Sequence, residues 1–394
     1  MEIKRPFWIL PVIVFSQFTG TSLWFAGNAV LPEIQSLFGY GSSALAAITS
    51  SIQFGFIGGT LLFATLNISD RYSSVSVFIF SSFAAALSTI LIILFIREFT
   101  LVLILRFLTG FFLAGIYPVG MKIAASWYPK GLGKALGFLV GALVLGTAFP
   151  HLLIAFGAII PWNAVLITVS ILAIFGGILL KAMVADGPSL SKASEFQPGT
   201  LIKIFSNKHF RAAAFGYFGH MWELYAFWAF VPVILSAYSE FHAISLNIPF
   251  WSFLIVASGF LGCSLGGIWS IRWGSARIAF LNLSISGTMC ILSPLLFFSD
   301  PYVFIVGYIL WGITVVGDSP QFSSLTAQTA PREYVGTGLT IVNSIGFAIT
   351  IGSIQLCSIL MAYLGPAYLL LILIPGPIFG LISMIQLLKT RIVT

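Results

Sequence analysis

The stretch Leu108–Pro118 reads LTGFFLAGIYP, and Leu310–Pro320 reads LWGITVVGDSP. Each places glycine third and eighth and proline eleventh in an apolar run whose one charged residue is Asp318, and the two lie 202 residues apart. Two shorter matches repeat the spacing. AVLPEI at Ala29–Ile34 returns as AFVPVI at Ala229–Ile234, offset 200, and SDRYSS at Ser69–Ser74 returns as SIRWGS at Ser270–Ser275, offset 201. Three independent matches at one spacing describe an internal repeat of half the chain, with both copies in the same orientation.

Neither copy can be a soluble domain. The chain has 394 residues, 59% hydrophobic and 7% charged, where soluble domains carry roughly 25% charged residues. A spanning helix needs about 20 mainly apolar residues, and apolar runs bounded by Pro, Gly, charge or Ser-rich breaks predict twelve: 7–31, 44–66, 75–96, 100–125, 134–158, 162–185, 211–236, 249–270, 276–298, 302–327, 335–363 and 367–388. The fold expected is therefore all-α and integral to the membrane, with two six-helix pseudo-repeats. One bundle covers 1–185 and the other 209–394, joined by a polar linker at 186–208. The apolar run from Phe7 past Trp24 exceeds the 7 to 15 residues of a signal-peptide core, so it reads as the first span.

Basic residues sort by side. Lys4, Arg5, Arg71, Lys130, Lys134, Lys181, Lys192, Lys203, Lys208, Arg211, Arg272, Arg277, Arg332, Lys389 and Arg391 fall in the loops and termini of one side, and Arg97 alone on the other. The positive-inside rule makes the first side cytoplasmic and puts both termini there, which requires an even number of spans. The same sorting explains the net charge of +7 without a nucleic-acid partner. Cys263, Cys290 and Cys357 are far apart with no CxxC spacing, so they read as reduced packing residues, and no metal or cofactor is expected.

RFLTGFFLAG at Arg106–Gly115 resembles the fourth-helix signature of the major facilitator superfamily, and the resemblance covers the whole chain. The loop after the second helix is similar to that family's GxLxDRxGR signature in part. Asp70 and Arg71 stand where the acid and base belong, while Leu66, Ser73 and Ser74 replace its glycines and last Arg; the second copy keeps Gly267, Arg272 and Gly274. The resemblance implies a weakened cytoplasmic latch of Asp70, Arg71 and Arg272. The fifth-helix signature of drug and proton antiporters is not matched by Gly137, Gly141, Gly146 and Pro150. GYFGHMWELYAFW from Gly216 and GDSPQFSSL from Gly317 look like a bacterial branch grouped with nitrate, nitrite and cyanate carriers. Those nitrate carriers place Arg in the second and eighth helices, where this chain has Gln53 and no Arg before Arg272, which argues against nitrate.

Ionisable groups at membrane depth are expensive and usually functional. Five stand out: Arg106, His151, His220, Glu223 and Asp318. His220 and Glu223 are three residues apart and share a helical face, so a carboxyl and an imidazole could exchange a proton there. Asp318 precedes Pro320, where the first copy has Ile116. Arg106 could hold an anionic substrate or pair with a buried carboxylate, or brace backbone carbonyls. Lys122 reads as a solvated anchor. Gln17, Gln53, Tyr117, Trp222 and Asn343, with Asn28 and Tyr225, add groups to helices that line the central cavity by family resemblance.

The function expected is secondary active transport of a small polar or charged solute by alternating access, proton-coupled, in the bacterial inner membrane. The protein is expected to act as a monomer with lipid around it. A uniporter or efflux antiporter of the same fold is the alternative, and a non-transporting receptor a lesser one. No HExxH, GxSxG or metal cluster suggests an enzyme.

Overall fold

The computed structural model describes residues 6–128, 132–156, 160–188, 201–331 and 334–389. Every element in them is helical, as a bilayer requires of a chain that closes its backbone hydrogen bonds within each segment. Eleven helices are long and apolar enough to span a membrane. They are TM2 (Ala44–Thr65), TM3 (Ser74–Leu94), TM4 (Phe99–Leu113 and Tyr117–Trp127), TM5 (Leu132–Ala155), TM6 (Trp162–Met183), TM7 (Lys208–Phe241), TM8 (Ile248–Trp273), TM9 (Ser275–Phe297), TM10 (Pro301–Gly317 and Ser319–Thr329), TM11 (Val335–Leu364) and TM12 (Pro366–Leu369, Leu370–Leu373 and Pro375–Lys389). The twelfth is TM1, which is broken rather than continuous: Ile9–Thr21, Ala26–Ala29 and Leu31–Phe38. With twelve spans the first and last described residues, 6 and 389, lie on one face, the terminal face, and the other is the far face.

Three differences from the sequence reading have physical causes. TM1 runs to Phe38, not residue 31, because Pro32 sits in the first turn of its last segment, where a missing N–H costs nothing, and Gly39 at φ 71° ends it. TM4 breaks over residues 114–116 and TM10 at Asp318, each break ending two residues before a proline, Pro118 and Pro320, since the proline removes a backbone donor. TM7 begins at Lys208, capped by Asn207, whose Oδ1 accepts from His209 N and Phe210 N. Residues 189–200 of the expected linker lie outside the described residues, and Leu201–Ser206 is helical. At the linker's start, Asp186 Oδ1 accepts from Val75 N at 3.2 Å and Gly187 N donates to Ser126 Oγ at 3.1 Å, so this end is docked on the first half.

Glycine sets the closest approaches, and it does so twice. A Cβ on Gly59 would strike Phe111 O across TM2–TM4, and one on Gly262 would strike Ile313 O across TM8–TM10. Gly110 faces Ile52 O, and its counterpart Gly312 faces Ile255 O. In lipid, backbone proximity of this kind drives helix association. Between halves, Gly137 of TM5 lies against TM8, where its Cβ would be 3.0 Å from Cys263 O. Gln355 of TM11 donates to Ser50 Oγ of TM2 at 2.8 Å.

Candidate transport site

TM7 carries two buried ionisable side chains near the middle of its 34 residues, and they face different partners. Glu223 turns into the second half. Its Oε1 accepts from Trp311 Nε1 of TM10 at 2.6 Å and from Cys290 Sγ of TM9 at 3.4 Å, and its Oε2 accepts from Ser286 Oγ of TM9 at 3.0 Å. Three donors around one carboxyl group stabilise it at a depth where water cannot.

His220 does not pair with Glu223, although both lie on one side of TM7. It meets Asp318 instead: Nδ1 lies 2.8 Å from Oδ1, with both side chains 0% exposed. The contact is close but off hydrogen-bond alignment, and the remaining atoms, Nε2 and Oδ2, have no protein partner among the described residues. Asp318 occupies the joint of TM10, between Gly317 and Ser319, where the helix restarts. Phe322 and Tyr217 flank the imidazole, with ring centroids 5.8 Å away in each case.

Arg106 is fully buried in TM4 and reaches the break in TM1. Its Nη1 donates to Leu23 O at 3.1 Å and its Nη2 to Trp24 O. Those carbonyls are exposed by the non-helical turn at residues 22–25, and a planar guanidinium can serve two acceptors at once. Of its nitrogens only Nε lacks a partner, and Gly27 packs over it, since a Cβ there would lie 3.0 Å away. The break itself stays ordered through Trp24 N, which donates to Thr21 O at 3.0 Å.

The remaining expected residues separate into two groups. Gln17, Gln53 and Tyr117 are buried at mid-span, and both polar atoms of each glutamine lack a protein partner among the described residues. Gln17 lies against Gly120, one turn from Tyr117. Trp222 points away, donating from Nε1 to Ile372 O at 3.1 Å in the irregular part of TM12. His151 lies one turn from the far end of TM5, and Asn343 is half-buried in TM11. Neither is drawn to the His220–Asp318 contact. Asn28 Nδ2 donates to Thr49 Oγ1 at 2.6 Å.

Sequence reasoning passed over an aromatic cluster that joins the halves. Trp24 stacks on Tyr225 at 5.8 Å and on Phe347 at 5.6 Å, and touches Phe56 at 4.9 Å. Phe25 and Trp228 meet edge-on at 6.2 Å. A signal existed for Trp311, which stands in the quoted repeat where the first copy has Thr109. Trp24 likewise stands opposite Leu224.

At the terminal face, Arg71 and Arg272 are exposed, and the side chain of Asp70 lies outside the described residues. Lys122 is not a solvated anchor. It is half-buried and donates to Ser69 O at 2.6 Å and Ser69 Oγ at 3.2 Å, tying the Ile68–Arg71 turn to TM4.

No curated protein sequence matches the chain. Solved structures do match it, over 97% of its length. A mutant of the nucleoside transporter NupG is similar with a TM-score of 0.70 at 13% identity, covering 97% of this chain and 99% of that one. A variant of the fucose:proton symporter FucP of E. coli is similar with a TM-score of 0.68 at 14% identity, covering 97% and 98%. At such identities the likeness speaks for the fold. The family model described as Major Facilitator Superfamily matches residues 13–354; the chain belongs to that superfamily, as a multi-pass membrane transporter and not an enzyme.

Proposed function

We propose that this protein is a secondary active transporter that moves a small polar solute by alternating access, with protons as the coupling ion. The observation that carries the coupling is the His220–Asp318 contact: two titratable groups 2.8 Å apart, sealed from solvent, each with one polar atom still unpartnered. A proton arriving at this pair changes its net charge by one. In a low-dielectric interior such a change is strongly felt, and here it falls on the joint of TM10, a helix that packs against TM7 and TM8. Glu223 has a different part in this reading. Its three donors already compensate its charge, so it braces TM7 against TM9 and TM10.

The basic loops of the terminal face support a cytoplasmic placement of both termini in the cell membrane. Alternating access is the motion the repeat favours: the halves rock about their interface, formed by TM5 with TM8 and TM2 with TM11 and bridged by the Trp24–Tyr225 contact of TM1 with TM7. The test uses the purified protein in liposomes, an imposed pH gradient and a panel of labelled small metabolites. Accumulation of one of them above its equilibrium level, abolished by a protonophore, is expected. Asp318→Asn should then lose accumulation while retaining solute exchange at equal pH. Accumulation that survives Asp318→Asn removes this pair from coupling.

A further inference from the structure

The four buried ionisable groups are each engaged by the protein, in whole or in part. Arg106 gives both Nη groups to backbone carbonyls. Glu223 is held by three donors. His220 and Asp318 are in contact with each other. Among the described residues, the atoms without a protein partner include Arg106 Nε and the open atoms of His220 and Asp318, but most are neutral, among them both polar atoms of Gln17 and Gln53 and the indole N–H of Trp24 and of Trp228. Buried polar atoms are nearly always satisfied, and in lipid an unsatisfied one is disfavoured further.

The side chains of Gln53, Trp24 and Trp228 border one aromatic cluster between the halves, and Gln17 lies two turns from Trp24 along TM1. Phe56, one turn from Gln53 on TM2, touches Trp24, and Trp24 stacks on Tyr225 and Phe347. Trp228 meets Tyr225 at 5.2 Å. Gln17 lies on TM1 beside Gly120, at the start of the second segment of TM4.

We infer that the transported solute is uncharged, a compact ring-shaped molecule bearing several hydroxyl or N–H/C=O groups. Amide side chains offer a donor and an acceptor each, and indole N–H groups donate only, a set that matches hydroxyls and neutral heterocycle edges. Aromatic faces beside them suit the flat or C–H face of a ring. A carboxylate or phosphate would find only Nε of Arg106 open, with Gly27 packed over it, and a cation only the Asp318 carboxyl, already in contact with His220. The inference rests on the transport reading above, but it can fail separately.

The test is binding, measured as thermal unfolding of the purified full chain in detergent. The probes are D-ribose, D-glucose, myo-inositol and uridine, set against glucuronate, uridine monophosphate, glutamate and choline. At least one uncharged probe should raise the melting temperature saturably, by about 2–5 °C at 100-fold excess over its Kd, and the charged probes should not. Gln17→Leu and Gln53→Leu should weaken that binding at least tenfold while their ligand-free melting temperature stays level or rises. Trp228→Phe, which removes the indole N–H together with one of its two rings, should weaken it about threefold to tenfold. A shift from charged probes alone, from no probe, or one undiminished in all three variants overturns the inference. An uncharged probe that binds but is never transported would instead count against transport, and transport of a charged solute would keep transport while rejecting this solute class.

Discussion

Replacing Arg106 by Lys distinguishes a brace from an anion receptor. Lys keeps the charge but offers one compact ammonium, which can reach Leu23 O or Trp24 O and not both in the present fork geometry. One carbonyl at the TM1 break is then unsatisfied. A buried orphan of this kind costs about 1–3 kcal/mol in soluble proteins, and interhelical bonds in membranes average about 0.6 with a maximum near 1.7 kcal/mol. A loss of about 1–2 kcal/mol is therefore expected. Local opening of the break becomes roughly 5- to 30-fold more populated, and hydrogen exchange by mass spectrometry on a peptide spanning residues 18–29 should accelerate by that factor. Peptides from TM9, which makes no bond to Arg106, should be unchanged. Unchanged exchange across 18–29 together with a tenfold or greater loss of solute affinity would refute the brace and restore Arg106 as a ligand.

Glu223→Gln presents an NH2 to one of the donors from Trp311, Ser286 and Cys290, so the melting transition should fall by the equivalent of about 1–2 kcal/mol, while gradient-driven uptake persists; full stability with lost coupling would reverse the roles given to Glu223 and Asp318. Gly55→Ala should destabilise the TM2–TM4 contact, because its Cβ would strike Phe107 O, whereas Gly58→Ala should be neutral, its Cβ lying 3.7 Å from Phe107 Cζ; equal melting temperatures for the two variants would contradict the packing. On the far face, the Tyr40 hydroxyl donates to Ile96 O, and burial, helped by the Glu98 charge, holds its pKa above 10.0. The folded state keeps this proton longer than the unfolded state, so its stabilisation is complete below pH 10 and declines as pH rises through the folded value. Tyr40→Phe should flatten the stability profile above pH 10, and identical profiles would exclude the effect. The double change His220→Ala with Asp318→Ile should yield a folded protein that melts within a few degrees of the parent but accumulates nothing under a pH gradient; failure to fold would mean that the pair is needed for structure.

Much of the architecture was legible because lipid imposes one solution on an apolar chain. Twelve runs, a repeat near offset 200 and one-sided basic loops needed only composition and spacing. The break in TM1 was not legible. Its residues, SLWF at Ser22–Phe25, carry no Gly or Pro, and the turn exists because a donor from another helix, Arg106, meets its carbonyls. The partner of His220 was misread for a related reason. A three-residue spacing establishes a shared face on one helix, but which neighbour approaches that face is decided by tertiary packing, and Asp318 is nearly a hundred residues away. Trp222 reads from the sequence as a cavity-lining residue, yet its indole serves a carbonyl in TM12.

The two halves build the same clasp with different chemistry, and this bears on which buried charges are structural. In the first half a donor on TM4, Arg106, serves the backbone carbonyl of Leu23 on TM1. In the second half a donor on TM10, Trp311, serves the carboxyl of Glu223 on TM7, and positions 23 and 223 are equivalent at the offset of 200 that relates the TM1 and TM7 motifs. The first half breaks its helix to present an acceptor; the second keeps it and presents a side chain instead. Each charge answers a local requirement of the clasp. The contact one turn earlier has no such requirement. Gly20 of TM1 lies against Ile116 of TM4, where a Cβ would be 2.7 Å from Ile116 Cγ2, and the equivalent residues on TM7 and TM10 are His220 and Asp318. Packing at this level is met in the first half by a glycine and an isoleucine, so the fold does not need titratable groups there. Two of them, in contact and fully buried at an energetic disadvantage, are what the proposed proton coupling requires at this level and what the fold does not.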